Sequence, residues 1–172
     1  MMSSDHLARL NAELQPFLHL PCVGGKQYLG SMFFLDFGGR FNATARGGRP
    51  IEIGVMTLSI RNVAWWIHQK SGVDLSAEQA SPEQFDSVAR SLEGTTIAGL
   101  TISAERRLRI EFRNAWLLAV DLSNQWSTDT DILEIAAPDG RLIAIRSNGD
   151  VLFDAGFDAE RSSNWKRSRL RH

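Results

Sequence analysis

Four histidines, one cysteine and scattered carboxylates are the residues of this chain best able to do chemistry. His6, His19, His68 and His172 are never four residues apart, and no neighbouring thiol or carboxylate completes a metal-ligand spacing. The short motifs of nucleophilic, zinc, dinucleotide and phosphate-loop chemistry do not occur. The sequence therefore predicts neither a metal site nor a cofactor.

An enzymatic site would have to be assembled from distant strands. His68 follows two tryptophans on a predicted strand, and Cys22 would need such a base to act as a nucleophile. Asp36 and Glu52 stand on adjacent predicted strands and could meet as an acid/base pair. We interpret His68 as an ordinary strand histidine, Cys22 as a buried inert thiol and the carboxylates as cross-strand partners of arginine. Catalysis is the less favoured interpretation.

Four arginines are concentrated in one short segment, as Arg106, Arg107, Arg109 and Arg113. The last three alternate along a predicted strand and so share one face, which could form a basic patch for RNA or an acidic protein. Glu111 in the same row and a formal net charge of -1 favour a solvated sheet face instead. Nucleic acid is not the expected partner.

Aromatic residues give the clearest sign of a binding surface. Trp65 and Trp66 are adjacent on a predicted strand and point to opposite faces, so at least one of them needs a cover. This indicates an interface or an aromatic-lined cavity. The residues assigned to it are Trp65, Trp66, Phe33, Phe37, Phe112 and Trp116.

Two Gly-Gly-Arg triplets lie in residues 38–50, which we predict to be an exposed loop. Glycine amides can cradle a phosphate, but such loops normally precede a helix N-terminus. This stretch runs into Pro50 and a strand, so a flexible surface loop is the preferred interpretation.

Two helices are predicted among the strands. Leucines at helical spacing indicate a helix over 4–15 that Pro16 ends. Ser81, followed by proline and glutamate, begins a second helix over 82–93.

Short alternating apolar segments make up most of the remainder, and they predict strands. These segments are 31–37, 51–60, 63–69, 97–104, 108–112, 116–122, 132–137, 142–145 and 151–153. Asp-Gly in 138–141 and Asn-Gly in 147–150 indicate hairpin turns, and Arg61-Asn62 is either a tight hairpin or a bulge.

The predicted fold is therefore a single α+β domain over 1–158. It has a curved, mainly antiparallel meander sheet of about seven to nine strands with two helices packed on it, and barrel-like closure is the alternative. Residues 159–172 form a basic tail that we expect to be poorly ordered.

Cysteine usage and hydropathy bear on the compartment. The lone Cys22 excludes an intrachain disulfide, no apolar signal segment is evident at the N-terminus, and the uncharged apolar runs fall short of a membrane helix. We expect a cytoplasmic protein without membrane contact.

Three segments within residues 28–122 share a common rhythm: 30–38, 54–60 with Trp66-Ile67, and Leu92-Glu93-Gly94 before a strand hairpin. In this rhythm the chain resembles many small bacterial proteins, among them the immunity proteins that neutralise polymorphic toxins. It implies a non-catalytic protein whose surface covers a toxin, and it assigns no site residue. The nearly neutral charge and the basic tail depart from the acidic character of many such antidotes.

Three functions remain open at this point. The leading one is a non-enzymatic binding protein of a bacterial cytoplasm with a protein partner. The alternatives are a small-molecule binder with an aromatic-lined cavity and an enzyme with a dispersed site. We also expect a homodimer that buries one of Trp65 and Trp66 or the terminal strand 151–153.

Overall fold

The computed structural model describes most of the chain, as residues 4–27, 32–44, 50–72, 74–123, 131–136, 142–146, 148 and 150–154. The two helices are α1 (Ser4–Leu14) and α2 (Pro82–Leu92), and a 3-10 turn follows α1 at Gln15–Phe17. The strands are β1 Cys22–Gln27, β2 Phe33–Thr44, β3 Pro50–Ile60, β4 Ala64–Gln69, β5 Asp74–Ser76, β6 Ile97–Ile102, β7 Arg107–Phe112, β8 Trp116–Asp121, β9 Asp131–Ala136, β10 Leu142–Arg146 and β11 Val151–Asp154. Within these ranges, no helix combines the length and the apolar character needed to cross a membrane.

The strands form two antiparallel sheets, which confirms the predicted α+β class with two helices. One sheet has the order β1-β2-β3-β9-β10-β11 and the other β5-β4-β8-β7-β6. The described strands therefore number eleven instead of seven to nine, and they form two sheets where one curved sheet was expected. Both sheets are open in the described residues, so the barrel-like alternative is wrong there.

The division into two sheets begins at the link between β3 and β4. Asn62 has φ of 53°, a left-handed conformation that redirects the chain after β3. Strand β4 consequently pairs with β5 and β8 rather than with β3. The Arg61-Asn62 link is a crossing between sheets, neither a hairpin nor a bulge.

The inner faces of the two sheets meet in one core that α2 helps to fill. Phe33 of β2 contacts Trp65 of β4 with ring centroids 5.0 Å apart, and Phe37 of β2 stacks on Phe112 of β7 at 6.3 Å. Phe85 of α2 lies against both Phe33 and Trp65, at 4.9 and 5.8 Å. This helix therefore joins the two layers.

The loop predicted over 38–50 is wrong for its first half. Strand β2 continues to Thr44, and its pairing with β3 shifts register just after Phe37, where Gly38 has φ of 81°. The first Gly-Gly pair thus forms a β-bulge, because glycine tolerates the positive φ that such an irregularity uses. Residues 45–49 lie outside the described part.

At the C-terminal end, the described residues include one of the two expected hairpins. Strands β10 and β11 pair antiparallel, and the Asn148 side chain accepts a hydrogen bond from the Asp150 amide at 2.9 Å. Strand β11 lies at the edge of its sheet, as expected for the terminal strand. The turn at 138–141, the domain boundary at 158 and the basic tail lie outside the described residues.

Helix α1 is fixed to the five-stranded sheet by one amide side chain. Asn11 accepts from the Ile102 amide at 2.9 Å and donates to the Ile102 carbonyl at 3.1 Å, so it occupies the backbone groups of the edge strand β6. We expect Asn11→Ala to lower the free energy of unfolding by about 1–3 kcal/mol, because these groups lose their partner. Chemical denaturation measures this, with Gln15→Ala as the control, since Gln15 bonds only the exposed helix backbone in the described contacts. Equal effects of the two substitutions would contradict the anchoring role.

Candidate functional site

One sheet face gathers several of the residues singled out in the sequence. Trp66 of β4 and Arg109 of β7 both lie directly opposite Ala119 of β8, one from each side. Side chains directly opposite each other share a face, so Trp66 of the predicted aromatic site lies on the same face as Arg109 of the basic patch considered from the sequence. We call this outer surface of the five-stranded sheet the tryptophan–arginine face; it comprises Trp66, His68, Asp74, Arg107, Arg109, Glu111, Leu117, Ala119 and Asp121. Arg113 follows directly after the end of β7.

Trp66 is the exposed aromatic of this face. Its side chain is 39% exposed, while the adjacent Trp65 is fully buried, as alternation along a strand requires. The small Ala119 beside it leaves the indole uncovered. Trp66 and Arg109 are two strand spacings apart, roughly 9–10 Å between Cα atoms.

The arginines of β7 are balanced by carboxylates on the same face. Arg109 donates to Glu111 at 2.8 Å, and Arg107 lies opposite Asp121. Burial opposes ionisation of Asp121, but hydrogen bonds from Ser123 and the charge of Arg107 outweigh it and lower the pKa of this carboxyl below its ordinary value. The face therefore carries mixed charge, not a continuous positive field.

Arg106, the fourth arginine of the predicted patch, lies elsewhere. It is buried, has φ of 63°, and its guanidinium donates to the Arg146 carbonyl at 3.2 Å. Arg106 lies in the turn between β6 and β7, and its side chain reaches β10 of the other sheet, so this arginine does not belong to the face.

His68 is held by a carboxylate that the sequence analysis missed. Its Nδ1 lies 2.5 Å from Oδ1 of Asp74, across the pairing of β4 with β5. This contact orients the imidazole and engages Nδ1, which directs any proton transfer or ligand contact to Nε2. No signal in the sequence identified Asp74, because β5 is only three residues long.

An open depression of about 650 Å³ lies beside His68 at one end of the face. Its polar lining is His68, Gln69, Lys70, Arg109, Glu111 and Arg113, and apolar side chains including Leu117 and Trp116 form the rest. We call it the cationic depression, because three permanent cations face one carboxylate.

The other predicted aromatic residues lie in the core. Phe33, Phe37, Trp65, Phe112 and Trp116 are each at most 4% exposed. Phe33 packs against Trp65, and Phe37 packs against Phe112. Phe112 and Trp116 also line the cationic depression. The structure thus separates Trp66 from the other five.

The four residues considered for catalysis are not brought together. His68 lies on the outer face of the five-stranded sheet, whereas Cys22, Asp36 and Glu52 belong to the other sheet. Asp36 is buried and accepts from the Thr57 hydroxyl at 2.5 Å; its register partner is Thr57, while that of Glu52 is Asn42. In the described residues, no group of three or more His, Cys, Asp or Glu side chains could hold a metal ion.

Cys22 is a poor nucleophile in this setting. Burial, reinforced by the charges of Asp36 and Glu93, raises the pKa of its thiol from 9.0 to about 11. The thiol donates to the Gly24 carbonyl at 3.7 Å.

This shift predicts a loss of stability in alkali. Well below pH 9 the thiol is protonated in both states. Between about pH 9 and 11 most unfolded chains have lost this proton while most native chains keep it, so the free energy of unfolding falls. Denaturation curves measured across this pH range should show that the free energy of unfolding falls more steeply with pH for the wild type than for Cys22→Ala. Parallel curves would contradict the raised pKa.

The first of the two triplets that we considered as a phosphate cradle contacts other parts of the protein. Arg40 of the first Gly-Gly-Arg triplet donates to the Val23 carbonyl and lies 4.0 Å from Glu93. The second triplet lies outside the described residues.

Comparison of the chain with protein-family models, with curated proteins and with solved structures gave no match. The interpretation of the tryptophan–arginine face therefore depends on its own geometry.

Proposed function

We propose that this chain is a non-enzymatic binding protein of a bacterial cytoplasm, and that its tryptophan–arginine face docks a protein partner. A toxin neutralised by an immunity-type contact is the partner that the sequence resemblance favours. The observation that carries the proposal is Trp66, which stands 39% exposed on an open sheet face. Exposed tryptophan next to arginine is the composition typical of interface hot spots.

A protein partner accounts for this face better than the two alternatives. An internal small-molecule site would use aromatic rings that instead pack against one another, as Phe33 does against Trp65. An enzyme would need a nucleophile beside the His68–Asp74 pair, and the candidate nucleophile Cys22 belongs to the other sheet. The open sheet face fits a broad macromolecular contact.

The chain offers a matched pair of variants for the test. Trp66 and Leu152 are both large apolar side chains that are 39% exposed, but Leu152 lies on β11 of the other sheet. Tagged wild-type, Trp66→Ala and Leu152→Ala proteins are used to capture partners from the lysate of the source bacterium, with quantitative mass spectrometry. We expect the wild type and Leu152→Ala to recover the same partner in similar amounts. The amount recovered by Trp66→Ala should be at least about tenfold lower, which is the effect of a hot-spot residue. Equal recovery by Trp66→Ala would overturn the proposal.

Self-association is the second candidate, because β11 is an edge strand that presents the exposed Leu152. A homodimer joined there would dissociate in Leu152→Ala and persist in Trp66→Ala. Sedimentation velocity over a wide concentration range distinguishes these cases. A monomer of 19.2 kDa at every concentration rejects the dimer.

A further inference from the structure

The cationic depression carries more positive charge than the chain around it. Lys70, Arg109 and Arg113 supply three positive charges against the single carboxylate of Glu111, whereas the whole chain has a formal net charge of -1. A local excess of cations in a concave surface attracts anionic groups, because the surrounding protein focuses the field.

Two of the three cations are available to a ligand. Arg109 is bound to Glu111 at 2.8 Å, but no carboxylate of the described residues forms an ion pair with Lys70 or Arg113. The guanidinium of Arg113 lies 3.5 Å from Nδ1 of His19, a distance that is long for a hydrogen bond. Guanidinium groups in such a position bind carboxylates with two parallel hydrogen bonds.

We propose that the protein partner contributes an acidic segment, whose carboxylates bind Lys70 and Arg113 in the cationic depression while a neighbouring apolar side chain lies on Trp66. This inference rests on the proposed function and names the chemistry of the partner. The two contacts are close enough for one segment, because Arg109 lines the depression and shares a row with Trp66.

Charge distribution favours an acidic protein over a nucleic acid. Asp74, Glu111 and Asp121 are interspersed on the same face and would repel a continuous phosphate backbone. Single-stranded nucleic acid binds on successive stacked aromatics, and Trp66 is the exposed large aromatic among the described residues of this face.

Selection from a random twelve-residue phage peptide library tests the inference without an identified partner. Peptides are selected on the wild-type protein and counter-selected on Trp66→Ala. We expect the recovered peptides to be enriched in Asp and Glu next to an aromatic or aliphatic residue. Their affinity, measured by fluorescence anisotropy, should fall at least about tenfold in Arg113→Ala and in Lys70→Ala.

Arg90→Ala is the matched control, since Arg90 is an exposed arginine on α2 that does not line the cationic depression. It removes the same charge and should leave the affinity unchanged, and thermal melting confirms that all variants are folded.

Peptides that depend on Trp66 but lack acidic residues, or that bind Arg113→Ala normally, overturn this inference and leave the proposed function standing. Failure to recover any peptide that depends on Trp66 overturns both. A labelled oligouridine that binds more tightly than the peptides, and loses affinity in Arg113→Ala, overturns the acidic partner in favour of RNA.

Discussion

Replacing Trp65 with alanine is expected to lower the free energy of unfolding by about 3–5 kcal/mol, the range for a buried aromatic side chain. Trp65 is fully buried and contacts Phe33 edge-on at 5.0 Å and Phe85 at 5.8 Å. These rings belong to the opposite sheet and to α2. Removing the indole therefore leaves a cavity where three elements meet, and the close-packed surroundings can fill it only in part.

The adjacent residue is the control for this prediction. Trp66 points to the outer face, so Trp66→Ala should change stability by no more than about 0.5 kcal/mol. Urea unfolding followed by far-ultraviolet circular dichroism measures both variants without relying on tryptophan fluorescence. If the two substitutions cost the same, the assignment of Trp65 to the core and Trp66 to the surface would be wrong.

The contrast between these tryptophans shows what alternation in the sequence can predict. Neighbouring residues of a strand point to opposite faces whatever the strand pairs with, so the opposed directions of Trp65 and Trp66 follow from the sequence alone. Helix α2 was also predictable, because Ser81, proline and glutamate in succession favour a helix start. In the structure Ser81 forms reciprocal hydrogen bonds with Gln84, at 2.9 and 3.2 Å.

Strand pairing was not predictable in the same way. The expected single sheet requires β3 to pair with β4, but the left-handed Asn62 sends the chain into a second layer. Strands β1 and β5 were missed for local reasons: β1 contains the glycine-rich CVGGKQ, and β5 has only three residues. Neither has the alternation that indicates a strand.

The candidate site depends on the pairing that the sequence could not supply. Alternation placed Arg107, Arg109 and Arg113 on one face, and it left Trp66 with an unknown neighbour. The insertion of β8 between β4 and β7 brings the arginines of β7 and Trp66 to the same surface, with Ala119 between Trp66 and Arg109. Long-range strand order decides this, and short-range patterns carry little information about it.

The bulge in β2 requires a glycine on the neighbouring strand as well. Gly54 of β3 pairs with Arg40, immediately beyond the register shift. A Cβ atom built at Gly54 would lie 2.8 Å from both the backbone nitrogen and the backbone oxygen of Phe37, and 2.9 Å from Cβ of Asp36. Such distances are well inside van der Waals contact, and the obstructing atoms are mainly backbone that cannot rotate away.

We therefore expect Gly54→Ala to destabilise the protein by about 3 kcal/mol, the upper part of the range for overpacking a dense core. The β2–β3 ladder would have to separate at the bulge, although these strands are interior members of the six-stranded sheet. Gly39→Ala is the control: it has nothing within 4 Å of the added methyl group and should be neutral or stabilising by a few tenths of a kcal/mol, because alanine restricts the unfolded chain. Thermal and urea unfolding measure the stability of the two variants. A Gly54→Ala protein as stable as Gly39→Ala would show that β2 and β3 do not approach as closely as described.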